Sequence, residues 1–193
     1  MKRLRTRTFI LLFALASACT NPFDTRTPEE PDPGSGQPPL NNLQNNPDSL
    51  RAQMKLAFQL KDPQLYGECF VNPAFIGTGF LFTPEQDEVP RLMNWTLADE
   101  TKYFSNFVNA GDLVSVELRD SVISRFETSL DTFKTEFSYL ITAEFRTKTE
   151  RYQGRSILGI LRAQADQLWY IYEWVDLPDR SDSTWSTLKA NYR

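Results

Sequence analysis

From Asp112 onward the chain changes from helical spacing to a strict period of two. Phe133, Thr135, Phe137, Tyr139, Ile141, Ala143 and Phe145 alternate with polar residues without interruption. Successive side chains on a strand point to opposite faces, so this run is one long strand with a single apolar face. Val114, Val116 and Leu118 begin a similar run over Leu113–Phe126, with a register change expected near Asp120. Tyr152–Arg162 follows, and then Leu168–Asp176, in which Leu168, Tyr170, Tyr172 and Trp174 share a face. The turns between these runs are short, which requires antiparallel neighbours in a meander.

The preceding residues read as helices. Asn46-Pro47-Asp48 supplies an N-cap, a proline for the first turn and an acid for the helix dipole. Leu50, Met54, Ala57 and Phe58 then recur at amphipathic spacing, predicting a helix that ends near Lys61. Asp62-Pro63 repeats the signal and starts a second short helix carrying Leu65, Tyr66, Cys69 and Phe70. A strand-like segment is expected over Phe75–Thr83. A third helix is expected from Thr96, in a capping pattern with Asp99, with Leu97, Phe104, Phe107 and Val108 on its apolar side and its end at Gly111. Helices first and long antiparallel strands afterwards predict an α+β domain over residues 47–193, a curved antiparallel sheet wrapped around N-terminal helices.

The first 46 residues have a different character. Lys2, Arg3, Arg5 and Arg7 precede an apolar run from Phe9 to Ala18, too short for the roughly 20 residues that span a bilayer. Ala16-Ser17-Ala18-Cys19 resembles the bacterial lipobox, although the usual leucine three places before the cysteine is Ala16 here. The resemblance implies that residues 1–18 are a removed signal peptide, that Cys19 carries the acyl chains, and that the protein is held on the cell envelope, at the outer rather than the inner membrane. Two or three chains make a stable anchor where one is marginal. Residues 19–46 read as a disordered tether. Seven of the twelve prolines fall within Pro22–Pro47 among Asn, Gly and Ser, a composition that buries too little surface to offset ordering entropy.

Composition narrows the chemistry. Four of the 21 basic residues lie in the leader, so 17 remain against 25 acidic residues and the rest of the chain carries −8. This balance argues against nucleic-acid binding, which needs a basic stripe. Histidine is absent, removing Ser-His-Asp and Cys-His catalysis and His-ligated metals. After Cys19 only Cys69 remains, expected as a small buried apolar residue. No cofactor is expected. Glu85, Asp87 and Glu88 cluster in a polar loop without metal-loop spacing, so solvated acids are the expectation there.

The order of elements resembles the nuclear-transport-factor-2-like fold, the cone shared with ketosteroid isomerases and polyketide cyclases. Ala57-Phe58-Gln-Leu-Lys-Asp62 with Tyr66, and Trp169-Tyr-Ile-Tyr-Glu-Trp174-Val-Asp176 followed by Ser183-Thr-Trp185-Ser-Thr-Leu188-Lys189, resemble the opening and closing segments of bacterial lipoproteins with such domains. The resemblance covers about residues 47–193 and rests on structural rather than catalytic motifs. It implies a cone interior lined by aromatic residues, with Tyr103, Phe137, Tyr139, Tyr170, Tyr172, Trp174 and Trp185 as candidate pocket or sheet-end positions. The expected role is binding a small apolar ligand or a protein partner. Two alternatives stand beside it: an isomerase, cyclase or hydratase using an Asp or Glu with a Tyr inside the cone, and a structural component dimerising through the sheet face. Tyr103, Asp120, Glu136, Tyr139, Glu144 and Asp176 are the residues available to the enzyme reading. Glu136 and Glu144 alternate out of phase with Phe137 and Phe145 and are expected in solvent, whereas Asp176 is expected to cap the turn before the tail.

Overall fold

A computed structural model describes residues 44–179 and 183–193. Residues 1–43, which include the expected leader, Cys19 and most of the expected tether, lie outside the described residues. Among the described residues no helix is long and apolar enough to cross a membrane.

Three helices come first, each begun by the signals in its sequence. Helix α1 is Pro47–Leu60; the Asn46 side chain accepts the Ser49 amide, and Lys61 closes the helix at a φ of 55°. Helix α2 is Pro63–Gly67, with the Asp62 carboxylate accepting the amides of Gln64 and Leu65. The expected strand over Phe75–Thr83 is largely replaced. Asn72 and Pro73 start a one-turn helix, α3 (Pro73–Ile76), and only Leu81–Thr83 is extended, as β1. The side chain of Asn72 accepts the Ala74 amide, so the cap-plus-proline signal operates here for a third time. A single 3₁₀ turn, Gln86–Glu88, precedes helix α4, Leu97–Val108. The Thr96–Asp99 capping box is present, but α4 ends before Gly111, where the Asn109 side chain donates to the Ser105 carbonyl at 2.9 Å.

The sheet is built from β2 (Leu113–Ser129), β3 (Thr132–Phe145), β4 (Thr149–Arg162) and β5 (Trp169–Leu177), with β1 at the far edge in the order β1-β5-β4-β3-β2. The four long strands are antiparallel neighbours, as their short turns require. β1 runs parallel to β5, so the sheet is mixed rather than wholly antiparallel. The chain ends in helix α5, Trp185–Asn191.

Bulges govern which side chains face inward. β2 shifts register between Leu113 and Ser115, Val122 and Ser124, and Glu127 and Ser129, the second of these starting two residues beyond Asp120, near which a change was expected. The first shift leaves Val114 exposed, while Leu113, Val116 and Leu118 are buried. In β5 the pairing moves from Gly159↔Glu173 to Ile160↔Ile171, leaving Tyr172 as an extra residue. An inserted residue inverts the phase of a strand. Ile171 and Trp174 are therefore buried, whereas Tyr170 and Tyr172 are only half-buried. β3 has no such interruption: Thr135, Phe137, Tyr139, Ile141, Ala143 and Phe145 all face the core, as the alternation predicted.

One core lies between the inner face of the sheet and helices α1, α2, α4 and α5. Its largest fully buried side chains include Trp174, Trp185, Tyr66, Tyr103, Phe58, Phe104 and Phe107. Tyr66 stacks on Phe104 with ring centroids 3.9 Å apart, and Trp185 meets Trp174 edge to face at 4.5 Å. Such contacts add to the area term of aromatic burial. Cys69 is a free, buried thiol, and burial pushes its pKa up. Gln44 is already in contact with the domain. Its carbonyl accepts the Trp169 amide at 2.9 Å and its side chain donates to the Glu68 carbonyl at 2.7 Å.

Candidate functional site

Inside the cone, polar groups gather in two connected clusters around α5. The first centres on Glu100, from the first half of α4. Glu100 and Lys189 are both 0% exposed and lie 2.8 Å apart. Glu100 also accepts the Tyr66 hydroxyl at 2.7 Å on one oxygen and the Trp95 indole N–H at 2.7 Å on the other. The hydroxyls of Tyr66 and Tyr103 are 3.0 Å apart, and Trp185 donates its indole N–H to Tyr103 at 2.9 Å. A charge removed from water costs several kcal/mol unless it is paired and hydrogen-bonded. Here the carboxylate has three donors, and burial pulls the Lys189 pKa down while Glu100 and Asp176 pull it back.

The second cluster centres on Asp176, near the end of β5 and 1% exposed. Its Oδ1 accepts the Tyr139 hydroxyl at 2.8 Å, and its Oδ2 accepts the amide and hydroxyl of Ser186 at 2.7 and 2.6 Å. Ser186 lies in the first turn of α5, so Asp176 caps the turn into the tail, as expected, and also ties it to β3. Tyr139 in turn accepts the Trp185 amide at 2.7 Å. Burial raises Asp176 above the usual carboxylate range, although Ser186, Tyr139 and Lys189 oppose the rise. Burial also pushes Tyr66, Tyr103 and Tyr139 upward, and the neighbouring carboxylates add to this.

The remaining carboxylates have structural partners. Asp120 faces inward opposite Tyr139 and pairs with Arg51 and with Lys55 at 2.7 Å, fastening α1 to β2. Glu136 faces out and pairs with Arg155 at 2.9 Å; exposed Glu144 accepts the Thr149 hydroxyl. Both agree with the alternation. Glu85 and Glu88 depart from the solvated-loop expectation: each is 7% exposed, with Glu88 held by Arg91 at 3.0 Å. The Glu85 amide donates to the Ser186 hydroxyl, which docks this loop onto α5. Among the described residues no three acids or thiols come together as a metal site.

Of the candidate aromatics, the structure brings Tyr103, Phe137, Tyr139, Trp174 and Trp185 together inside the cone. Tyr103, Tyr139 and Trp174 each contact Trp185 of α5, while Phe137 lies under Arg51. Tyr170 lies outside, bound to Asp166 at 2.7 Å, and Tyr172 covers Gly159 on the outer face of the sheet. Among the described residues, two clefts lie at the periphery. A cleft of about 620 Å³ is bounded by Gln44, Pro63, Phe70, Leu97 and Tyr170, and one of about 640 Å³ runs from Thr83–Val89 to the end of β5. The second reaches Asp176, but both oxygens of that carboxylate are already engaged. The residues missed from sequence are Glu100 and Lys189, two charges at amphipathic helix positions with no local mark of their burial.

No family model matches the sequence. No characterised protein matches it at the sequence level. Solved structures do match in shape. A conserved protein from Planctomyces limnophilus superposes with a TM-score of 0.54 at 10% identity, over 68% of this chain and 94% of that one. A nuclear-transport-factor-2-like protein of unknown function in nutrient uptake from Rhodospirillum rubrum gives 0.52 at 10% identity, over 69% and 98%. A candidate dehydratase of the same fold from Streptomyces avermitilis gives 0.52 at 9% identity, over 68% and 93%. With the curved sheet and helices described above, these likenesses establish the fold: an α+β cone of the nuclear-transport-factor-2-like type.

Proposed function

We propose that this chain is a lipid-anchored envelope module that works by association rather than turnover, using the outer face of its sheet to meet a protein partner or a second copy of itself. The observation that carries the reading is the filling of the cone. The volume in which this fold would hold a guest is taken by Trp185, Leu188 and Lys189 of α5, each 0% exposed. Part of the exposed apolar surface lies on the other side of the sheet. Phe126 of β2, opposite Lys134, is 51% exposed, Ile123 at the β2 bulge is 52% exposed, and half-buried Ile157 and Val175 are paired neighbours on β4 and β5. The ion pairs Lys134–Glu173 and Glu136–Arg155 lie among them. Apolar groups interspersed with paired charges are a composition that protein contacts use.

Light scattering on residues 44–193 over a range of concentrations tests the self-association form. The expected result is a dimer that Phe126→Asp converts to a monomer without loss of folded structure. A monomer at every concentration removes that form and leaves a different protein as the partner. The anchor has its own test: Cys19→Ser is expected to abolish acyl labelling and release the protein from membranes.

One observation favours an enzyme as the second reading. Asp176 has a raised pKa and receives a hydrogen bond from Tyr139 inside the cone, the carboxyl–tyrosine combination that isomerase, cyclase or dehydratase chemistry requires. The fold likeness to a candidate dehydratase agrees with it. The pair is sealed by Trp185 and Ser186, so this reading requires α5 to leave the cone. A truncation ending at residue 183 that stays folded and binds a hydrophobic probe with its site at Asp176 would support it.

A further inference from the structure

The surroundings of Lys189 form a complete cation site. Its Nζ lies 3.7 Å from the ring centroid of Phe82, 3.8 Å from that of Trp174 and 5.5 Å from that of Tyr103. A ring attracts a cation over its face within about 6 Å. Glu100 supplies the counter-charge at 2.8 Å and is itself fixed by Tyr66 and Trp95. The walls come from separate elements. Phe82 and Trp174 are paired residues of β1 and β5, Glu100 and Tyr103 come from α4, and Trp95 precedes it. None of these five belongs to α5, which supplies the ammonium-bearing side chain and, through Trp185, braces Tyr103 and Trp174. A box of aromatic faces around one oriented carboxylate is the chemistry that recognises an alkylammonium ion.

We propose that the cone holds a binding site for a primary alkylammonium group, and that the chain's own Lys189 occupies it in cis. The five wall residues are a receptor and α5 carries the ligand. An external guest for this cone is therefore an amine that takes the place of Lys189, not an uncharged apolar molecule. This assignment is independent of the outer sheet face, and either can fail without the other.

Lys189→Ala removes the last three carbons and the ammonium of the side chain, a fragment equivalent to propylammonium. Thermal unfolding of that variant is to be followed at neutral pH against propylammonium chloride, with n-propanol as the uncharged counterpart and potassium chloride as the ionic-strength control. The expected result is a saturable rise in Tm of about 3–6 °C at ten times the Kd with propylammonium alone. In Lys189→Ala/Glu100→Gln the propylammonium response is expected to disappear while any propanol response remains. No rise, an equal rise with propanol, or an unchanged response in the double variant would overturn the proposal. If Lys189→Ala does not fold unaided, the same additions are made during refolding and the recovered folded fraction is read. Selective recovery with propylammonium supports the site, and equal recovery with all three additives overturns it.

Discussion

The hydroxyl of Tyr139 donates to Asp176 Oδ1 at 2.8 Å while accepting the Trp185 amide at 2.7 Å. One oxygen atom thus joins β3, β5 and α5 inside the core. Tyr139→Phe keeps the ring packing but leaves the Trp185 amide without this acceptor and removes a donor from Asp176. A buried polar group stripped of its partner costs about 1–3 kcal/mol, and that is the expected loss. Urea unfolding at neutral pH measures it. A loss below a few tenths of a kcal/mol would mean that the junction contributes nothing net.

Trp185→Ala tests whether α5 fills the cone. Trp185 packs against Phe58, Tyr139 and Trp174 with centroids 5.5, 5.1 and 4.5 Å away. Truncating a buried tryptophan costs about 3–5 kcal/mol and leaves a cavity where the site does not collapse. The variant is expected to unfold earlier by that amount and to gain saturable binding of a small aromatic probe that the parent lacks. Isothermal titration with both proteins reads the difference.

Much of this was legible in the sequence, for identifiable reasons. β3 was readable along its length because nothing interrupts its alternation, so Phe137 and Tyr139 faced the core as expected. The caps of α1, α2 and α4 were readable because a capping side chain acts within four residues of its target. The expected common face of Tyr170, Tyr172 and Trp174 is broken because a bulge depends on the partner strand, and a period-two count within one strand cannot detect it. The interior site was half legible. Asp176, Tyr139 and Trp185 carried local signals, but the Glu100–Lys189 pair joins residues 89 positions apart, on helices whose mutual packing is set only by the finished sheet.

Asp120 supplies a pH prediction. Burial acts to raise its pKa, but hydrogen bonds and charge from Lys55 and Arg51 outweigh burial and hold it below the ordinary carboxylate range. The unfolded chain therefore binds this proton more tightly, with a pKa of about 3.9. The stabilisation is complete above that value and is lost as pH falls through it toward the lower folded value. Asp120→Asn is expected to be less stable than the parent at pH 6, with the gap closing between about pH 4 and the folded pKa. Urea midpoints of both proteins from pH 2.5 to 7 provide the check; a gap that widens on acidification would reverse the sign.

Gly154 gives the sharpest steric test of how the tail cluster is built. It lies opposite Tyr139 on β4, and a Cβ placed there would sit 2.6 Å from the Tyr139 oxygen and 2.7 Å from the Leu177 carbonyl oxygen. The first neighbour is held by Asp176 and Trp185, and the second is backbone, so neither yields cheaply. Gly154→Ala gains backbone entropy by restricting the unfolded chain, worth about 0.4–1 kcal/mol. The clash opposes this with about 1–3 kcal/mol of overpacking, so a net loss is expected. The Tyr139→Phe background separates the contacts in part, because it removes the hydroxyl at 2.6 Å and leaves the ring carbon at 3.0 Å and the Leu177 oxygen. Gly154→Ala should therefore cost less in Tyr139→Phe than in the parent, and equal costs in the two backgrounds would show that the hydroxyl carries none of the strain, leaving it to Leu177 and the ring.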